Sequence, residues 1–172
     1  MLTRLAPWLP LPVLFVTYQL AGWIARWLAR PSANDLLLAW DRRIFGTDPG
    51  LWLVQRLPVT VLNGIDLFYF SYYVLLIVAP WVMARRRGRS ALREFWTSAG
   101  VTYFLCYLLL PWFPSTPPRL LFPGFAYGGP VHALNLWVLG HFSIGANVFP
   151  SPHVAAAVCF ALCHLRYHRT GW

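Results

Sequence analysis

Four stretches of this chain are apolar almost without interruption, and polar residues collect between them. The first covers residues 5–28, the second 61–84 and the third 95–113. An α-helix needs roughly 20 apolar residues to cross a hydrocarbon core of about 30 Å, so each run predicts a transmembrane helix. The fourth run begins at Ser151 and stays apolar to Leu165, 15 residues. That is about 22 Å of helix, so it borrows length from the "RYHRTGW" that follows and is placed at 151–168. Between the first two runs, "ANDLLLAWDRRIFGTDPGLWLVQRLP" mixes apolar residues with Asp35, Asp41, Arg42, Arg43, Asp48 and Arg56. No piece of it is long enough to span. It predicts one or two short amphipathic helices lying at the interface, broken across residues 46–50. Residues 114–150 are apolar but dense in proline and glycine, which predicts a loop with a short helix around 132–139. The expected fold is therefore all-α: a polytopic transmembrane helical bundle of about four membrane helices plus interfacial helices, forming a single membrane-embedded domain over 1–172.

Composition supports that expectation. The chain is 58% hydrophobic and 11% charged, against about 25% charged residues in soluble domains. Arg4 ahead of the first run raises the option of a secretory signal peptide. The length of the run, its tryptophans and the lack of a clear small-residue cleavage site favour an uncleaved membrane helix instead. The net charge is +9, carried by fourteen arginines and no lysine. These arginines gather at the ends of apolar segments, where they flank a membrane, rather than forming a patch for nucleic acid. The densest cluster, "RRRGR" at 85–89 with Arg93, sets the connection between the second and third runs on the cytoplasmic side. Arg4, Arg166 and Arg169 then fall inside as well, and the loops 33–58 and 114–150 fall outside. Arg42, Arg43 and Arg56 run against this orientation. Cys106, Cys159 and Cys163 sit within apolar runs and behave as small buried hydrophobes. Cys159, Cys163 and His164 lack a fourth ligand at a useful spacing, so no metal site is expected.

The chemistry concentrates at two short segments. In "FPSPHVAAA", Ser151 suits a helix N-cap, Pro152 suits the first helical position, and His153 falls in the first turn. A helix start offers unpaired N–H groups and the positive end of the helix dipole, both favourable to an anion. The serine hydroxyl adds a donor, and the histidine can pass a proton to a phosphate oxygen or a leaving alkoxide. About 30 residues earlier, "FPSTPPRL" places Arg119 behind two prolines of fixed φ. A guanidinium can grip phosphate through two N–H groups. Arg119 closes the third run and Ser151 opens the fourth, so both are expected at the outer face. The plainer alternatives are a helix cap with an incidental histidine and a snorkelling interfacial arginine. Asp66, near the start of the second run, is a functional candidate because it is ionisable within a span, or else an interfacial carboxylate. His132 and His141 are expected in the loop or interface, and His164 and His168 at cytoplasmic headgroups.

Taken together, "STPPRL" and "FPSPHVAAA" resemble the type 2 phosphatidic acid phosphatase superfamily. With "WDRRIFGTDPGLWL" and "YFSYYVLL" upstream, the chain is most similar to the branch containing inositol phosphorylceramide synthases, over roughly residues 36–166. The resemblance implies a six-helix membrane fold with its site at the membrane surface, and removal or transfer of a phosphate-containing lipid headgroup through a phosphohistidine. It implies that Arg119 and Ser151 bind the phosphate, that His153 is the general acid, and that no metal or other cofactor takes part. The family's third motif, which holds the nucleophilic histidine and its aspartate, has no counterpart before Trp172. The expectation is thus a C-terminally incomplete lipid phosphatase or inositolphosphotransferase, inactive as this fragment, in the cell membrane with its site facing the extracytoplasmic side. Its partner would be a phospholipid or lipid-phosphate substrate, not nucleic acid. The alternative is a non-catalytic membrane protein of the same fold that binds anionic lipid or a protein partner. A transporter fits less well, because its polar groups belong near mid-membrane rather than at helix ends.

Overall fold

In a computed structural model, residues 8–145 and 149–169 are described. Arg4 and the start of the first run at residue 5 lie outside them, as do the expected side-chain contacts of His168 and Arg169. Among the described residues every regular element is helical. Helix α1 is Pro10–Leu28, α2 Asn34–Phe45, α3 Pro49–Arg56, α4 Val59–Arg86 and α5 Gly88–Leu109. A 3-10 turn at Leu110–Trp112 extends α5. Then come α6 Pro118–Leu121, a second 3-10 turn at Pro123–Phe125, α7 Pro130–Phe142 and α8 Pro152–Arg169.

Local rules explain most of the boundaries. Gly46, with φ 73°, ends α2 in the left-handed conformation that glycine adopts freely. Asp48 then caps α3, its carboxylate accepting from Leu51 N at 2.7 Å, with Pro49 at the first helical position. The two short helices are broken where the sequence predicts. Helix α7 is longer than the 132–139 expected, because Pro130 starts it and an apolar sequence carries it to Phe142.

Helix α5 is the hub. Ala91, Leu92, Phe95, Ala99, Tyr103 and Cys106 form its buried stripe, and Leu110 continues it. Their spacing of three to four residues keeps them on one face of the helix. Against this stripe pack α1, α4 and α8. Ala99 meets Ala156 of α8, both with no exposed surface, so the two backbones approach closely. Phe95 and Phe160 pack ring against ring, tilted by 30° with 4.9 Å between centroids, further along the same seam. An ion pair from Arg166 to Glu94, 2.8 Å, ties the end of α8 to the start of α5. Helix α1 turns a face of small residues inward, Ala21, Gly22 and Ala25. A Cβ on Gly22 would collide with Ile144, so glycine is required there for close approach.

The outward faces are apolar too. Phe68 on α4, Trp27 on α1, Phe104 on α5 and Val154 on α8 are each more than 60% exposed. Small residues line the closest approaches between helices, while many large apolar side chains face outward. Among the described residues one helix, α4, is long and apolar enough by length and composition to cross a membrane. Helices α1 and α5 have 19 and 22 residues, but Gln19 and Arg26 dilute the first, and Arg89, Arg93 and Glu94 the second.

Candidate functional site

The two motif segments meet. The loop leading to Arg119 is stapled from both sides. On one side Ala33 N donates to Pro114 O at 2.8 Å and Thr116 N to Asn34 Oδ1 at 2.8 Å, anchoring the loop to the start of α2. On the other side Phe149 N donates to the hydroxyl of Ser115 at 3.1 Å. Ser115 is 2% exposed, so this bond is shielded from water. It joins "FPSTPPRL" directly to "FPSPHVAAA", two residues before Ser151. Ser151 caps α8 through both of its oxygens: the hydroxyl accepts from Val154 N at 3.4 Å and the carbonyl from Ala155 N at 3.1 Å. Pro152 takes the first helical position and His153 the first turn, as the sequence predicts.

Helix α4 presents a face of tyrosines to His153, and Arg119 is within electrostatic reach of the same face. The hydroxyl of Tyr69 hydrogen-bonds Nε2 of His153 at 3.1 Å, and the two rings stack at 4.9 Å with 24° between their planes. Tyr72 and Tyr73 also face that imidazole, with centroids at 4.4 and 5.9 Å. Arg119, half-buried, acts electrostatically on Tyr69, Tyr18 and Tyr73. Burial pulls its pKa down from the ordinary arginine value, and the three tyrosines act the other way. A guanidinium remains charged regardless, so Arg119 is a permanent cation in a partly desolvated place, which an anion would neutralise. Beside His153 lies a cavity of about 190 Å³ between α1, α4, α5, α7 and α8. Its walls are mainly aromatic, with Tyr18, Tyr72, Tyr73, Tyr103 and Tyr107 among the lining residues and leucines filling much of the rest. The hydroxyls of Tyr72 and Tyr103 hydrogen-bond each other across it.

A second polar cluster lies on α4, one turn before Tyr69. Asp66, 7% exposed, accepts at Oδ2 from the Tyr127 hydroxyl (2.8 Å) and from His132 Nδ1 (2.8 Å). Its Oδ1 accepts from Asn135 Nδ2 at 2.9 Å. Asn63, one turn earlier, donates to Gly128 O at 2.8 Å and accepts from the His132 backbone N–H at 3.2 Å. This changes two expectations. Asp66 is buried within the protein and fully partnered, and His132 is not a loop residue: it is a buried helical side chain that fastens α7 to α4. Burial drives both outcomes, because an ionised carboxylate away from water has to collect donors. His141 is exposed, its Nδ1 donating to Trp137 O at 2.7 Å, outside either cluster. His164 lies eleven residues beyond His153, three turns along α8.

Sequence reasoning missed the tyrosines and Ser115. A signal for the tyrosines was present. Asp66, Tyr69 and Tyr73 fall at i, i+3 and i+7, so polar-tipped side chains share one face of an otherwise apolar helix. Nothing local marked Ser115, whose partner is 34 residues away.

A sequence profile of the PAP2 superfamily matches residues 35–172, most of the chain, and the protein belongs to that superfamily. Membership points to phosphatase-type chemistry on lipid phosphates. No curated protein matches the chain, and no solved structure does. The matched region contains both motifs but not α1, which nevertheless contributes Tyr18 to the surroundings of Arg119 and one wall of the cavity.

Proposed function

We propose that this protein is an integral membrane phosphatase or phosphotransferase acting on a lipid phosphate, on the inositol phosphorylceramide synthase-like branch of its superfamily. Arg119 grips the phosphate, Ser151 and the start of α8 contribute hydrogen bonds to it, and His153 protonates the leaving alkoxide. The observation that carries this reading is the hydrogen bond from Phe149 N to Ser115, which holds the segment bearing Arg119 against the segment bearing His153. A fixed cation beside a helix entrance and an imidazole is the set of groups that phosphoryl transfer calls for, since such catalysis rests mostly on positioning and charge stabilisation.

Membrane residence is supported by the ridges of exposed large apolar side chains on α1, α4, α5 and α8, since soluble monomers rarely expose contiguous apolar patches so large. Small residues between helices agree with it, because close backbone approach drives association in lipid. With "RRRGR" between α4 and α5 on the cytoplasmic side, the end of α4 that bears Asp66 and Tyr69 faces outward, and the site opens to the extracytoplasmic leaflet. The cavity beside His153 would accommodate the hydrocarbon next to the phosphate.

The test uses the full chain purified in detergent with phosphatidate in mixed micelles. Where the protein releases phosphate, Arg119→Ala and His153→Ala should each lower that release by about 100-fold or more; where it only binds the lipid, Arg119→Ala should weaken binding. Arg119→Lys should recover little of it, because a point charge does not replace a two-pronged grip. Unchanged turnover in both alanine variants removes this site from the chemistry. Arg119-dependent binding of phosphatidate without any turnover supports the non-catalytic lipid-binding alternative instead.

A further inference from the structure

Arg42, Arg43 and Arg56 run against the orientation that "RRRGR" sets, and the phosphate site makes no use of them. They lie on α2 and α3, neither of which contains a buried residue. On α2, Leu36, Trp40 and Ile44 recur every four residues and so share one face. They are 46%, 48% and 70% exposed, whereas Leu37 and Leu38 are partly buried. Arg42 and Arg43 are exposed in the last turn of that helix. Among the described residues no carboxylate forms an ion pair with either of them or with Arg56. The neighbouring acids are placed elsewhere: Asp48 caps α3, Asp41 is partly buried, and Asp35 lies at the opposite end of α2. On α3, Arg56 lies over the Trp52 ring, 4.9 Å from its centroid. Just past α1, Arg30 lies over Trp112 in the same way at 4.6 Å. An arginine laid on an exposed tryptophan suits a membrane boundary, where one end of the pair is apolar and the other wet.

The same two helices hold the chain on both sides of Arg119. Besides the bonds from Ala33 and Asn34, the Ser32 hydroxyl donates to Pro114 O at 3.3 Å, so the start of α2 fixes residues 114–116. After Arg119, the ring of Phe125 lies against Gly50 of α3, 3.2 Å from where a Cβ would stand. Trp40 also meets the Phe149 ring edge-on, with 6.5 Å between centroids, two residues before Ser151. We propose that α2 and α3 form a platform that docks on the anionic headgroup surface of the leaflet facing the site. Leu36, Trp40 and Ile44 enter the boundary between headgroups and acyl chains, and Arg42, Arg43 and Arg56 pair with lipid phosphates. Because the platform brackets Arg119, seating it sets the depth of that guanidinium relative to the bilayer surface. An apolar stripe alone would suit a second protein equally well. Three exposed arginines beside it, without carboxylate partners among the described residues, favour a surface rich in phosphate. The inference rests on the membrane residence argued above and on none of the proposed chemistry.

The experiment reconstitutes the full chain in phosphatidylcholine nanodiscs that contain a set fraction of brominated phosphatidylglycerol, or of brominated phosphatidylcholine as the neutral control. Bromine quenches a tryptophan that it touches. The quenching lost in Trp40→Phe combined with Trp52→Phe is the signal of the platform. In the wild type that signal should prefer the anionic lipid by about tenfold or more at low salt, and the preference should shrink at high salt. Arg42→Gln, Arg43→Gln and Arg56→Gln together should abolish the preference. Arg85→Gln with Arg86→Gln, on the opposite connection, should leave it in place, and so should Arg119→Ala. Thermal unfolding midpoints report whether each variant is folded. Equal quenching by the two lipids in the wild type overturns the inference and leaves the proposed chemistry intact. A preference lost in Arg119→Ala does the same, since it moves the anionic lipid to the phosphate site. Absence of quenching by either lipid also overturns it, by showing that a second copy covers this face. A chain that does not enter the discs overturns membrane residence and the platform together.

Discussion

Replacing Asp66 by alanine should be the most damaging single change outside the site. The carboxylate accepts three hydrogen bonds, from Tyr127, His132 and Asn135, at 2.8 to 2.9 Å. Hydrogen bonds to a charged group are worth about 1.5–3 kcal/mol each, a gross loss of roughly 5–9. Part of that returns because a charge no longer has to be buried. Water cannot easily replace the lost acceptor, since His132 and Asn135 are 7% and 6% exposed. The net cost should therefore resemble that of breaking a buried pair, about 3–5 kcal/mol, a large fraction of the 5–15 kcal/mol by which proteins are typically stable. Equilibrium unfolding in mixed micelles, followed by the fluorescence of the chain's ten tryptophans, measures it. In the double variant with His132→Ala, the two losses should fall short of additivity by about 1–3 kcal/mol, because one bond is counted twice. A loss below about 1 kcal/mol, or strict additivity, would refute the view that this network fastens α7 to α4.

The remaining expectations concern conformation, packing and titration. Gly129 has φ 127°, and a Cβ there would collide with the Asn63 amide, so Gly129→Ala should cost about 1–3 kcal/mol. Gly140→Ala, within α7 and with nothing close by, should instead stabilise by up to about 1 kcal/mol. Leucine at Ala99 would overfill the seam against Ala156 and lower stability by about 1–3 kcal/mol, seen as a lower unfolding midpoint in detergent. Burial first, and then its bond to Asp66, push the Tyr127 phenol above its ordinary pKa of 10.0. Above that value the unfolded chain releases a proton that the folded chain keeps. Stability held below pH 10 should then fall as pH rises further, and Tyr127→Phe should flatten that fall.

Much of the architecture was legible because it follows from local rules. The apolar runs, the break between Phe45 and Pro49, and the cap at Ser151 depend on residues within a turn of one another. The resemblance that pointed to the superfamily rests on two such local segments. The helix face shared by Asp66, Tyr69 and Tyr73 was within reach of the same reasoning, since helical periodicity alone aligns them. What that face meets was not.

Two contacts make the site and a third fastens α7 beside it, and all are long in sequence. Ser115 to Phe149 spans 34 residues, Asp66 to His132 spans 66, and Tyr69 to His153 spans 84. Each is closed by the packing of α4, α5, α7 and α8, where the fit of Ala99 against Ala156 sets how near the helices come. Periodicity and capping act over a few residues, so they place a histidine at a helix mouth without saying which side chain it faces. Only the packed bundle could supply its partner, because that choice depends on the relative rotation and depth of helices that local sequence leaves free.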